Sequence, residues 1–267
     1  MNSAFPYRLL DVGGTFIKLP DSLPVPIKSS GSREEIASAL KSAIGPTDGL
    51  KGIGIAIPGP FDYREGVFRM EHKFASAYGE NLASMAGVPA DVPVKYMHDV
   101  AAVLEGAIRM MSLHGNTALA TIGTGLGFCI ALHGEVQYGP DLSPMHEIWN
   151  RPWNGGILED FVSSRGIRNS YTEKTGDTTQ SAYEIAMRAY AGEEAALEVY
   201  SEAGTTLGEA IAEMLEDLEV DTLLMAGQIS KSLNLIERPL CNALEGVKIL
   251  RSPEGAVFEG LKTLFSL

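Results

Sequence analysis

The chain has 267 residues, 45% hydrophobic and 21% charged, enough apolar material to bury a core without disulfides or structural metals. A formal net charge of −13 argues against a protein that grips phosphate backbones, because such binding needs clustered Lys and Arg, so no nucleic-acid partner is expected. Cys129 and Cys241 have no Cys-x-x-Cys or Cys/His spacing, and no apolar run approaches the roughly 18 residues of a membrane-spanning helix. A cytoplasmic protein with neither membrane attachment nor structural zinc is expected.

The first apolar run, Tyr7–Val12, is short and ends at Gly13-Gly14-Thr15, as a buried strand entering a tight turn does. Ser32-Arg-Glu-Glu35 spells a capping box, and Ile36, Leu40 and Ile44 then share one face, which predicts a helix packed on the first sheet. Gly52–Ile57 and Val94–Met97 read as further buried strands, the former running into Pro58-Gly59-Pro60. A helix is predicted from Asp99 through Ala102, Leu104, Ala107 and Ile108. Ala118–Ile122 and Gly127–Leu132 bracket a second glycine turn, Gly123-Thr124-Gly125. A long helix over Glu193 to Glu216, strands at Thr222–Met225 and Val247–Leu250, and a helical segment after Pro253 complete the pattern.

Alternating strands and helices indicate an α/β fold. Leu9–Ile17 and Ala120–Leu132 each contain a Gly-Thr turn, a weak internal repeat, and the pattern restarts around residues 106–116. We therefore expect a small N-terminal lobe over residues 1–108, completed by the helix in 253–267, and a larger lobe over 109–252, with a cleft between them.

Asp11-Val-Gly13-Gly14-Thr15 follows a strand directly. Its glycines let backbone approach an anion, its amides and the Thr15 hydroxyl can donate to phosphate oxygens, and Asp11 can hold a hydrated Mg²⁺ while Lys18 adds positive charge. Gly123-Thr124-Gly125-Leu-Gly127 offers a second turn of the same kind. Neither matches a dinucleotide fingerprint. Gly13-Gly14 lacks the GxGxxG spacing, and the second turn leads into another strand rather than a helix.

These two turns, with Leu224-Met-Ala-Gly227-Gln228-Ile-Ser230 near the end, resemble the three nucleotide-binding segments of the ROK family, whose sugar kinases belong to the actin-like ATPase superfamily. The resemblance runs over essentially the whole chain and implies a two-lobed actin-like (ribonuclease H-like) fold. It also implies an ATP- and Mg²⁺-dependent sugar kinase, in which Gly227 and Gln228 lie against the adenosine. Met97-His98-Asp99-Val-Ala-Ala is similar to the family's Asn-Asp-Ala segment, so Asp99 takes the catalytic role of a base that accepts a hydroxyl proton. His98 stands in place of the usual Asn.

Pro58 and Gly59 match the family's Pro-Gly-Pro turn on the sugar side, and Glu147 its Glu in Gly-Glu-x-Gly-His. Asn150 replaces the histidine that ordinarily contacts sugar and zinc, and no cysteine follows it, so the zinc site is expected to be absent. Glu159 fits the Leu-Glu-x-x-x-Ser pattern as a second sugar contact. Trp149 and Trp153 read as core aromatics, and Lys73, in a segment that does not reproduce the family's Asn-x-x-Trp, as a solvated side chain.

The acceptor implied is a small-molecule sugar, with O6 of glucose or a related hexose as the default, and a homodimer is compatible with the family. The alternatives are a kinase for an amino or N-acetylated sugar and a non-catalytic sugar- or nucleotide-binding regulator. With the first glycine turn starting at Asp11, the helix-turn-helix that such regulators carry is not expected before it.

Overall fold

Residues 6–267 are described by a computed structural model, and their strands fall where continuous apolar runs meet Gly, Pro or polar stops. The first stretch holds β1 (Tyr7–Val12), β2 (Phe16–Leu19), β3 (Ser22–Pro26), α1 (Arg33–Ile44), β4 (Gly52–Ile57), β5 (Phe61–Asp62), β6 (Val67–Phe68), α2 (Leu82–Met85), β7 (Val94–His98) and α3 (Asp99–Met111). The second holds β8 (Thr117–Ile122), β9 (Leu126–Leu132), β10 (Glu135–Val136), β11 (Pro152–Trp153), β12 (Gly156–Ile157), α4 (Glu159–Val162), α5 (Ser164–Thr175) and α6 (Ala182–Tyr190). It continues through α7 (Glu194–Asp217), β13 (Thr222–Ala226), α8 (Leu233–Ala243) and β14 (Lys248–Arg251), before α9 (Ala256–Thr263) closes the chain's regular structure.

The chain divides into two compact units. One comprises the chain up to Ser112, Tyr138–Pro144 and Pro253–Leu267; the other comprises Leu113–Gln137 and Met145–Ser252. Tyr138–Pro144 thus belongs to the first unit although it lies within the span read as the second lobe. Residues 1–5 of the expected N-terminal lobe lie outside the described residues.

Each unit is built on a five-stranded sheet. The orders are β3-β2-β1-β4-β7 and β10-β9-β8-β13-β14, with the first two pairings in each sheet antiparallel and the last two parallel where pairing is direct between β1, β4 and β7 or β8, β13 and β14. The two Gly-Thr turns join corresponding hairpins, β1–β2 and β8–β9, so the repeat extends to whole sheets. All six residues of β4 are buried, as expected for a strand covered on both faces.

The capping box opens α1. Ser32 Oγ accepts the Glu35 N–H at 3.2 Å and Glu35 Oε2 accepts the Ser32 N–H at 2.8 Å, which sends Ile36, Leu40 and Ile44 into the first unit's core beside Leu10, Ile55 and Phe68. Phe128, Ile185, Leu207 and Leu223 are among the buried residues of the second. Among the described residues no helix is long and apolar enough to cross a membrane.

One reading needs correction, that of Trp149 as a core aromatic. Trp149 is exposed in a loop, while Trp153 is partly buried against the second core. Cys241 is exposed on α8, whose buried side is taken by Leu233, Ile236 and Leu240, whereas Cys129 is buried in β9. The Ser22–Pro26 strand, exposed at every position but Val25 and carrying two prolines, lies at a sheet edge, where missing N–H donors are tolerated.

Candidate active site

In the first unit, β1 and β2 pair so that Asp11 stands opposite Lys18, and Lys18 Nζ lies 2.8 Å from Asp11 Oδ2. Gly13, Gly14 and Thr15 make the intervening turn. The Gly13 N–H donates to Phe16 O at 3.0 Å, and the Ser29 and Ile27 amides return to Gly14 O and Thr15 O at 3.0 and 2.9 Å. The Asp11 side chain is 13% exposed. Burial is the largest influence on its carboxyl and pushes it up; Lys18 opposes this, the charge of Asp99 adds to it, and the net result is raised.

Register also assembles the proposed base. Ile57 at the end of β4 stands beside His98 at the end of β7, which brings the Pro58-Gly59 turn to the imidazole: a Cβ on Gly59 would sit 3.6 Å from His98 Nε2. His98, with only 8% of its side chain exposed, holds the N-cap position of α3, its Nδ1 3.2 Å from the Val100 amide nitrogen. Asp99 is the first helical residue. Its Oδ1 accepts the same amide at 2.8 Å and lies 3.1 Å from His98 Nδ1, while 34% of its side chain remains exposed. Burial tends to raise this carboxyl, but the His98 contact, the Val100 amide and the charge of Lys73 together outweigh it and hold Asp99 below the usual aspartate value. Asp99 is thus ionised at neutral pH and sits where a helix N-terminus favours negative charge.

Lys73 departs from its reading as a solvated residue. It is half-buried and its charge acts on Asp99, because the next residue, Phe74, is fully buried and its N–H is bound to Ser29 O at 2.7 Å. The signal for this was the buried aromatic beside it rather than the lysine.

In the second unit, Gly123, Thr124 and Gly125 turn β8 into β9, with the Gly123 N–H donating to Gly125 O at 3.0 Å. β13 runs parallel to β8, so Gly227 arrives against the Ile122 backbone, and Ser230 Oγ donates to Gly227 O at 2.7 Å. Thr124, Gly227 and Gln228 are exposed. The structure therefore gathers the Gly123–Gly125 turn and the Gly227–Ser230 segment into one neighbourhood.

Glu147 and Asn150 lie exposed on the loop before β11, where Trp149 Nε1 donates to Glu147 Oε2 at 3.3 Å. The Glu159 N–H donates to Trp149 O at 3.1 Å, which ties that loop to the start of α4. Glu159 itself turns back to the second glycine turn, its Oε2 accepting the Leu126 N–H at 2.9 Å. Among the described residues no group of three or more His, Cys, Asp and Glu stands together as a metal-ligand set.

Comparison with known proteins gives a family and a fold. The model of the ROK family matches residues 24–249. A glucokinase of Halalkalibacterium halodurans is 25% identical over 295 residues, covering 94% of this chain and 89% of that protein. A ROK family glucokinase from Streptomyces griseus, solved in complex with glucose and AMPPNP, superposes with a TM-score of 0.78 at 18% identity, covering 96% of this chain and 97% of that one. A ROK family transcriptional regulator, a homologue of the E. coli MLC protein, superposes equally well, with a TM-score of 0.78 at 19% identity over 96% of this chain and 77% of that one. These likenesses show the fold, the two-lobed α/β architecture of the actin-like ATPases.

Proposed function

This chain belongs to the ROK family, and from that premise we propose that it is an ATP-dependent sugar kinase, transferring the γ-phosphoryl group to a hydroxyl of a hexose, with O6 of glucose as the first acceptor to test. A cytoplasmic protein with a small-molecule acceptor, and a homodimeric state, complete the proposal. The observation that carries it is the pairing, within one unit, of an ionised Asp99 at a helix N-terminus with a glycine turn headed by Asp11.

In this reading Asp99 accepts the proton of the acceptor hydroxyl as it attacks, and the His98 Nδ1 contact and the Val100 amide hold the carboxylate in one orientation. The amides of Gly14, Thr15, Thr124 and Gly125, with the hydroxyls of Thr15 and Thr124 and with Lys18, bind and neutralise phosphate oxygens, which is where most of the barrier reduction in phosphoryl transfer arises, while the Gly13 and Gly123 amides close their turns on Phe16 O and Gly125 O. Gly227 and Gln228 serve the adenosine. Asp11 suits a Mg²⁺ ion, because burial and the charge of Asp99 both disfavour its bare carboxylate, and a divalent cation offsets both. A Mg²⁺ ion held there would supply charge neutralisation to the nucleotide phosphates. Glu147 and Asn150, with Pro58, Gly59 and His98, are the proposed sugar contacts.

His98 in place of Asn and Asn150 in place of His keep an amino or N-acetylated sugar as the alternative acceptor. A non-catalytic regulator is the second reading, favoured by the likeness to the transcriptional regulator. Such a protein would bind sugar or nucleotide and release no ADP.

The test is ADP release from Mg·ATP across neutral hexoses, amino sugars and N-acetylated sugars, with a no-sugar control. One acceptor should give strong release, and Asp99→Asn should lose most of it, about a hundredfold or more, with ATP binding kept. Full activity in Asp99→Asn would remove the base role, and silence across the panel with intact ATP binding would favour the regulator.

A further inference from the structure

Sequence resemblance assigns Glu159 to the sugar, yet both of its carboxylate oxygens meet groups of its own unit. Oε2 accepts the Leu126 N–H at 2.9 Å, on the residue that follows the Gly123–Gly125 turn, and Oε1 lies 3.6 Å from Arg165 Nη2. The guanidinium is itself held 2.6 Å from Asp160 Oδ1, and Asp160 Oδ2 accepts the Ile157 N–H at 3.2 Å. Glu159 is therefore fixed from behind by α5 and by the β12 strand. A second tie runs parallel to it, the Ser164 N–H donating to Gly123 O at 2.8 Å.

Gly125 shows how closely the same oxygen lies against the turn. A Cβ placed there would stand 2.6 Å from Glu159 Oε2, closer than real Cβ contacts allow, so the carboxylate occupies the space that a side chain at 125 would need. In contrast, a Cβ on Gly123 would meet nothing within 4 Å. The two glycines of one turn thus have different reasons: one leaves room on its open side, the other yields its place to a carboxylate.

We propose that Glu159 is a positioning residue for the second phosphate turn: by accepting the Leu126 N–H and filling the space beside Gly125, it fixes the amides of that turn for the phosphates of a nucleotide. The proposal rests on the kinase reading only in naming the ligand. A loose turn would have to order its amides on binding, and the lost order appears as weaker nucleotide affinity. Glutamine retains a carbonyl oxygen that can accept the same N–H, whereas alanine leaves that amide without its partner.

The experiment is calorimetric titration of the full chain with a non-hydrolysable ATP analogue and Mg²⁺, in the absence of sugar, for wild type, Glu159→Gln, Glu159→Ala and Gly125→Ala. Glu159→Gln should bind within about threefold of wild type, and Glu159→Ala about tenfold or more weakly. Gly125→Ala, which keeps the carboxylate but displaces it, should match Glu159→Ala, and the double variant should be no weaker than either, as expected for two changes acting on one contact. Thermal unfolding verifies that each variant is folded; if Glu159→Ala is not, Gly125→Ala carries the comparison. Unchanged nucleotide affinity in Glu159→Ala and Gly125→Ala overturns the proposal. So does a wild type that binds no analogue. An equal rise in acceptor KM for Glu159→Gln and Glu159→Ala with nucleotide affinity unchanged also overturns it, and returns Glu159 to the sugar. If wild type binds the analogue and Glu159→Ala loses it while no acceptor yields ADP, the positioning role stands and the kinase reading falls.

Discussion

Asp11 and Asp99 are two carboxyls of one unit driven in opposite directions, Asp11 up by burial and by the charge of Asp99, Asp99 down by its contacts with His98, Val100 and Lys73 against its own burial. The linkage signs follow. The depressed Asp99 contributes stability that is present above its unfolded value and lost as pH falls through its folded one, whereas the raised Asp11 costs stability that is relieved as pH falls through its folded value. Its ion pair with Lys18, a side chain 60% exposed, offsets little of that cost. Asp11→Asn should therefore raise the thermal midpoint at neutral pH, with the gap to wild type closing on acidification, while ADP release is abolished; a lower midpoint at pH 7 would contradict the assignment. The identity of these two residues was legible in the sequence because an Asp before Gly-Gly-Thr and an Asp at a strand end are local patterns. Their opposite environments were not, since these arise from the burial of Asp11 and from the charge of Lys73, which only the fold brings to bear on Asp99.

Helices α3 and α9 illustrate the same limit among elements. Both were expected, from apolar periodicity in α3 and from the segment after Pro253. Their mutual packing depends on Gly106 and Gly260, where an added Cβ would collide with the backbones of Ala256 and Ala102 respectively. Gly106→Ala forces the helices apart, and overpacking against backbone that cannot yield should cost about 3 kcal/mol or more, roughly 6–12 °C in the thermal midpoint. A midpoint within a degree of wild type would mean that α9 shifts freely. Glycine inside a helix reads in sequence as a weak spot rather than as a contact, which is why this crossing was hidden. Buried strands such as β4 and β8 were the most legible elements, being short continuous apolar runs, and β3 the least, because an exposed edge strand with two prolines has neither alternation nor continuity.

The two sheets repeat one strand order, and the sequence carried only a trace of that repeat, the paired Gly-Thr turns, because corresponding strands share burial and not identity. The units are also discontinuous in the chain: the first takes in Pro253–Leu267 together with the stretch up to Ser112. Removing residues 253–267 should therefore damage the first unit while sparing the second. Hydrogen exchange should speed up through α3 and β4, both of which pack on α9, with α7 and β13 left protected. Uniform exchange across both units would argue against their independence. This arrangement also bears on how the protein is made. As the chain leaves the ribosome from its N-terminus, the stretch carrying Asp11 and Asp99 emerges long before the helix that covers α3, so the first unit must wait, with an apolar surface uncovered, until residues 253–267 have been made.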